Sequence, residues 1–204
     1  MIGIIDYGMG NLRSVKKALE YLHFEAAILD DPDEIGTCEK VILPGVGAFE
    51  QAMERLRATG MDRAVLRAAD AGKPVLGICL GMQMMYEASE ENGMHRGLGL
   101  FPGCIRRLKG GEGIKIPHMG WNTITPRESM LFANADPVEV YFVHSYCAPG
   151  TSEFTIASCE HGEVFTAACQ RESVCAAQFH PEKSGEAGLG MLKRFASGEG
   201  WKTC

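Results

Sequence analysis

Apolar positions along the chain follow two rhythms. Through the first 80 residues, short β-rich runs (MIGIID, FEAAIL, KVILPG and PVLGI) alternate with segments in which apolar residues recur every three or four positions. Asn11 can cap a helix that carries Leu12, Val15, Leu19 and Leu22 on one face. A second helix starts at Phe49 and turns Met53 and Leu56 inward, and a third lies near Arg63 to Ala71. Strands regularly separated by helices predict an α/β fold, a mostly parallel sheet covered on both faces.

From Gly97 onward the rhythm changes. GCIRRL, NTITP, VEVYFVHSY, EFTIASC, EVFTAAC and SVCAAQFH read as successive short strands, and Gly162 in CEHGEV marks a hairpin turn. This half is expected to add antiparallel strands at the sheet edge. A closing helix from Ser184 sets Leu189, Leu192 and Phe195 on one side. No repeat, low-complexity stretch or linker divides the chain, so residues 1–204 are expected to form a single domain, a size that suits one core.

Charge and cysteine usage narrow the function classes. The net charge of −6 is mild, and the 20 Lys and Arg form no basic stripe, which argues against nucleic-acid binding. No apolar stretch approaches the roughly 20 residues that span a bilayer, and MIGIIDYGMG is too short and glycine-rich for a signal peptide. A cytoplasmic protein that does not engage membranes is expected. The eight cysteines include no CxxC and no Cys/His cluster at zinc spacing, so no metal is expected and most read as buried reduced thiols.

Cys79 needs a separate account. In PVLGICLGMQ it ends an apolar run, with Gly77 and Gly81 two residues to either side. Gly-x-Cys-x-Gly at a strand-to-helix junction is the cysteine counterpart of a nucleophile elbow, and a helix beginning after the sulfur would favour its thiolate. A nucleophile needs a base. His23 and His95 lie in polar surroundings, His161 sits in a turn, and His118 and His144 adjoin strands, where they could be packed or bind substrate. His180, in QFHPE, ends a strand before Pro181 and has Glu182 two residues on. The carboxylate can fix the imidazole tautomer, making Cys79, His180 and Glu182 a coherent nucleophile, base and orienting group. Acyl transfer also needs oxyanion donors. The N–H of Leu80 is one candidate, and the glycine-rich PGVGAF turn, with Gly45 and Gly47, offers a second.

GICLGMQ, FHPE and PGVG together resemble the motifs of class I glutamine amidotransferases, which release ammonia from glutamine with a Cys-His-Glu triad. Within that family, IIDYGMGNLRSV, PHMGWN and YFVHSY look like those of the glutaminase subunits of imidazole glycerol phosphate synthase, in histidine biosynthesis. The resemblance runs over essentially the whole chain. It implies a flavodoxin-like fold, a γ-glutamyl thioester on Cys79, and backbone contacts from Val46 and Gly47. Gln83 would then lie near the glutamine amide, Glu91 at its amino group, and Ser145 and Tyr146 near its carboxylate. The residues alone also allow Glu91 to be a solvated acidic helix end, since EASEEN contains three glutamates.

The resemblance further implies no cofactor and a (β/α)8-barrel cyclase partner in a 1:1 heterodimer. That cyclase would consume the ammonia and make imidazole glycerol phosphate and aminoimidazole carboxamide ribonucleotide. Asn11, Met119, Trp121 and Lys183 would face it, although Trp121 suits a core position equally. A rival from the residues themselves is a nucleotide-binding module, with Gly8-Met9-Gly10 after the first strand and Asp30 and Asp31 further on; Arg13 stands where the third glycine belongs.

Overall fold

The computed structural model of the chain describes residues 1–111 and 113–199. Strands β1 (Ile2–Ile5), β2 (Ala26–Leu29), β3 (Lys40–Gly45) and β4 (Val75–Cys79) alternate with helices α1 (Leu12–Tyr21), α2 (Phe49–Ala58) and α3 (Met61–Asp70). The apolar stripe of α1 turns Val15, Ala18 and Leu19 inward, as its spacing requires. Asn11 occupies the capping position of α1, but its Oδ1 accepts from the Ser14 hydroxyl at 2.8 Å, and no backbone N–H is capped by it. Helix α3 starts two residues earlier than expected, at Met61, a fully buried side chain.

After β4 comes α4 (Leu80–Met84), only five residues long. Its residues are all buried, so it has no polar face with which to continue along the surface. The N–H groups of Leu98 and Leu100 bond the carbonyls of Met84 and Met85, both at 2.8 Å, and so take up groups that a longer helix would use. The chain instead enters β5 (Tyr86–Ser89) and β6 (His95–Arg96), two strands that the residue pattern does not announce.

The rest of the chain supplies β7 (Phe101–Arg107), β8 (His118–Pro126), β9 (Val138–His144), β10 (Tyr146–Pro149), β11 (Thr155–Glu160), β12 (Val164–Arg171), β13 (Val174–Ala177) and α5 (Gly185–Ser197). The long run VEVYFVHSY is broken at Ser145 into β9 and β10. Gly162, at φ 74°, turns the hairpin between β11 and β12 as expected.

The sheet runs β2-β1-β3-β4-β13, all parallel, and continues through β12, β10 and β7 in antiparallel pairing. Strands β11, β8 and β9 branch from β12, while β5 lies parallel to β7. The C-terminal half therefore adds antiparallel strands as expected, with one correction. β13 is no edge strand: it pairs parallel to β4, Ala177 beside Ile78, and forms the fifth strand of the parallel core. Its four residues are all buried, the pattern of a strand covered on both faces.

Apolar layers cover the two faces of the parallel strands. Ile4, Ile42 and Ile78 pack with Val15 and Leu19 of α1 and Leu192 and Phe195 of α5. Ile5, Leu43 and Val75 pack with Phe49, Met53 and Leu56 of α2 and Val65 of α3. Each such side chain contributes about 1.5–3 kcal/mol on burial, enough to hold the strand ends in fixed register. That register places Gly45, Cys79 and the residues following Ala177 at one edge of the sheet, the usual position for a site in such a fold. Among the described residues no helix is long and apolar enough to cross a membrane.

Candidate active site

Cys79 ends β4 with φ 55° and ψ −109°, a backbone region that costs a non-glycine residue about 1–3 kcal/mol. The glycines beside it permit the bend by leaving space. A Cβ on Gly77 would stand 2.8 Å from Met85 Sδ and 2.9 Å from Met82 N, and Gly81 packs directly on the backbone of β3. The turn of α4 follows the sulfur, but a five-residue helix offers little more than the free N–H groups of its first turn. The expected field of a full helix is absent.

The other half of the site arrives on the adjacent strand. Phe179 and His180 follow β13, and Pro181–Lys183 form a 3-10 turn that folds Glu182 back under the imidazole. His180 Nδ1 lies 2.8 Å from Glu182 Oε1, and neither side chain is more than 2% exposed. The main chain of His180 is pinned as well: its N–H bonds Tyr141 O at 3.0 Å, and its carbonyl accepts from the Ser184 hydroxyl at 2.6 Å. His180 Nε2 is buried and has no partner of good hydrogen-bond geometry among the described residues. Burial opposes a charge on this imidazole, yet Cys79 and Glu182 outweigh it and lift the pKa to about 9.

Cys79 and His180 open together into a cavity of about 370 Å³, whose wall also includes Val46, Gly47, Leu80, Gln83, Glu91, Ser145 and Tyr146. Of the sequence-derived candidates for catalysis and glutamine binding, all but Glu182 line this cavity, and Glu182 reaches it through His180. Gly47 has φ 99°, a conformation that glycine adopts without strain. Gln83 Nε2 donates to Tyr146 O at 2.8 Å and to Gln178 Oε1 at 3.0 Å. Glu91 is not a solvated helix end. EASEEN forms β5 and the turn after it, and Glu91 Oε2 accepts the Phe49 N–H at 2.8 Å, capping α2.

Outside the cavity, Met119 and Trp121 stand 63% and 55% exposed on β8. That exposure removes the core reading of Trp121. Its ring meets Tyr141, over which Lys183 Nζ also sits, so these four residues form one surface beside the cavity. Asn11 is half-buried behind the His180–Glu182 pair.

Two features escaped the sequence reading. Gln178, completely buried, places Nε2 3.8 Å from Cys79 Sγ; its signal was a polar side chain closing an otherwise apolar run. His118 and His144 are buried, a packing the sequence allowed, with His144 also bordering the cavity; what escaped is that they are joined. His144 Nδ1 lies 2.9 Å from Tyr146 O, its Nε2 lies 3.0 Å from His118 Nδ1, and His118 Nε2 lies 3.1 Å from Asn122 Nδ2. Burial, chiefly, holds their pKa values at about 4 for His118 and about 3 for His144.

The seven described cysteines are all unpaired, and burial pushes Cys147, Cys159 and Cys169 up to about 12; Cys204 lies outside the described residues. Among the described residues no group of three or more His, Cys, Asp or Glu is placed to hold a metal ion. In the Gly8–Gly10 loop of the rival reading, Arg55 Nη1 reaches Gly8 O at 3.4 Å, and its guanidinium would stand 2.8 Å from a Cβ on Gly8.

Known proteins give the same answer as the geometry. The chain is 47% identical over 203 residues to "Imidazole glycerol phosphate synthase subunit HisH" of Syntrophotalea carbinolica, covering 96% of this chain and 98% of the relative. It is 42% identical over 199 residues to "Imidazole glycerol phosphate synthase hisHF, chloroplastic" of Arabidopsis thaliana, covering 96% of this chain and 34% of that longer protein. A crystal structure of a glutamine amidotransferase superposes with a TM-score of 0.74 at 18% identity, over 95% of this chain and 98% of the other, which shows the shared fold. The model of the family "Glutamine amidotransferase class-I" matches residues 3–197, and the chain belongs to that family.

Proposed function

We propose that the chain hydrolyses glutamine to glutamate and ammonia as the glutaminase subunit of an imidazole glycerol phosphate synthase in histidine biosynthesis. One observation carries the reading: the adjacent parallel strands β4 and β13 bring Cys79 and His180 to a single cavity, with Glu182 backing the imidazole from outside the cavity wall. The relatives that share nearly half of its residues bear the name of that synthase's subunit.

The Cys79 thiolate attacks the side-chain amide carbon of glutamine. The N–H of Leu80, with an N–H of the Val46–Gly47 turn, holds the oxyanion of the tetrahedral intermediate. His180, charged near neutral pH because its pKa is about 9, protonates the leaving nitrogen through Nε2, and ammonia departs from a γ-glutamyl thioester. Neutral His180 then takes a proton from water, which attacks the thioester and releases glutamate. Glu182 keeps Nδ1 protonated and Nε2 facing the reaction. Gln83 borders the amide end of the substrate, Glu91 pairs with its ammonium, and Ser145 and Tyr146 contact its carboxylate.

Ammonia must leave sheltered, because near neutral pH in water it becomes ammonium and is no longer a nucleophile. The partner is a (β/α)8-barrel cyclase bound 1:1 over the surface of Met119, Trp121 and Lys183, with Asn11 at its margin, in the cytoplasm. In the Arabidopsis relative the matched region is one part of a longer chain, as a fusion of the two activities would have it. Glutamine turnover is low for the subunit alone and rises when the cyclase holds its ligand, through a change of the PGVG backbone that completes the oxyanion hole.

The test is glutamine hydrolysis with and without a barrel cyclase and its ligand, repeated for Cys79→Ala and His180→Ala. Loss of turnover in both variants is expected, and the Cys79→Ala complex should still make product from added ammonia. Undiminished glutamine turnover in either variant overturns the assignment.

A further inference from the structure

We propose that Gln178 is a positioning residue whose side-chain N–H holds the Cys79 sulfur, and that its orientation is dictated through Gln83 by the carbonyl of Tyr146. The inference rests on the glutaminase reading only in taking Cys79 as the nucleophile.

The two ends of a carboxamide have nearly the same shape, so the end that faces the sulfur has to be derived from its partners. Tyr146 O can only accept. The Gln83 atom 2.8 Å from it is therefore the nitrogen, Nε2. That nitrogen has a second hydrogen, directed at Gln178 3.0 Å away, so the Gln178 atom it meets is Oε1. The remaining end of Gln178 is a donor, and it stands 3.8 Å from Cys79 Sγ.

Burial locks this order, since Gln178 is 0% and Gln83 5% exposed. Turning Gln178 over would face one NH2 group with another and press an oxygen against the sulfur. Tyr146 O is itself held from a second side, by His144 Nδ1 at 2.9 Å. The sulfur also has an acceptor within reach, Val143 O at 3.9 Å. The thiol proton can point to Val143, whereas a thiolate has no proton to give and gains from the Gln178 N–H. Gln178 thus favours the reactive form and fixes its place between β4 and the cavity, without touching glutamine.

The test uses the full chain and reads alkylation of Cys79 by iodoacetamide, followed on the Cys79 peptide, together with glutamine kinetics in the cyclase complex. Gln178→Met, close in length but without a donor, should slow alkylation by about ten- to hundred-fold, the effect of one hydrogen bond to a charged group. kcat should fall by a similar factor and KM stay within about twofold, a split that general loosening of the fold does not produce. Gln83→Met should also slow alkylation, and the double variant should be no slower than Gln178→Met, because Gln83 acts through Gln178. Alkylation of Gln178→Met at the unaltered rate, or multiplying effects in the double variant, overturns the inference. If Gln178→Met does not fold, Gln83→Met decides alone: slowed alkylation supports the relay and an unchanged rate removes it. Alkylation needs no glutamine, so slowed alkylation in a chain that proved not to hydrolyse glutamine would leave this inference standing while the glutaminase reading fell.

Discussion

A Cβ on Gly81 would stand 1.8 Å from the carbonyl oxygen of Leu43, in the neighbouring strand β3. The obstacle is backbone, which cannot swing aside as a side chain would. Gly81→Ala must therefore separate α4 from β3 and disturb the Val46–Gly47 turn that follows. We expect a loss of about 3 kcal/mol or more, at the upper end of overpacking effects, measured as a lower urea midpoint. A midpoint equal to that of the unaltered protein would contradict the close approach.

On the proposed mechanism, the contact between His180 and Glu182 sets the pH range of activity. With Glu182→Gln the support for a charged imidazole weakens and burial counts for more, so the alkaline limb of kcat/KM should move down from about 9. Turnover should fall about hundred-fold, the lower range for a disabled acid–base group. The same raised pKa acts on stability. Protonated His180 stabilises the fold fully below about pH 6.5, the ordinary histidine value, and this contribution is lost as pH rises through about 9. The profile for glutamine hydrolysis in the cyclase complex checks the first claim, and thermal melts from pH 6 to 10 check the second.

His118 and His144 have the opposite dependence. Their folded pKa values lie below the unfolded one, so between about pH 6.5 and 4 the unfolded chain binds protons that the folded chain refuses. Stability therefore falls with pH in that window. His144→Gln should lower Tm at pH 7, where a packed hydrogen-bonded ring is lost, yet show a shallower decline towards pH 4. Parallel declines for the two proteins would mean that this pair is not the source.

Trp121→Ala should leave the free subunit within about 0.5 kcal/mol of its original stability, as expected for an exposed side chain. In the complex it should raise Kd at least about tenfold, because an exposed tryptophan beside Met119 and Lys183 has the character of an interface anchor. Titration calorimetry with the cyclase measures this directly. An unchanged Kd would place the docking surface elsewhere.

Local pattern and long-range placement were not equally legible in the sequence. The runs that became β1, β3 and β4 are apolar apart from Lys40 at the start of β3, and the helices between them carry stripes, so pattern alone announces a parallel layer. Cys79 and QFHPE could be paired because chemistry demands a base and an orienting carboxylate. The brevity of α4 was hidden: Leu80 to Met84 read as a helix, and what stops it is bonding from Leu98 and Leu100, far along the chain. β13 was misplaced at the edge because VCAA fits a buried strand in any position, and its neighbour is set by the crossover. Gln178 looked like one more residue of a motif, since only the fold shows that Gln83 and Tyr146 lie within its reach.

Cys79 and Gln178 are 99 residues apart in the chain, and the strand that precedes Gln178 is the fifth of the parallel core. A nascent chain emerging from the ribosome therefore displays its sulfur long before the imidazole, the carboxylate or the amide relay exist. Until β13 slots in beside β4, that cysteine stands on an unfinished sheet with none of these proposed partners around it. On the proposed roles, reactivity arrives with β13, so a chain stopped short of it carries the sulfur without its base.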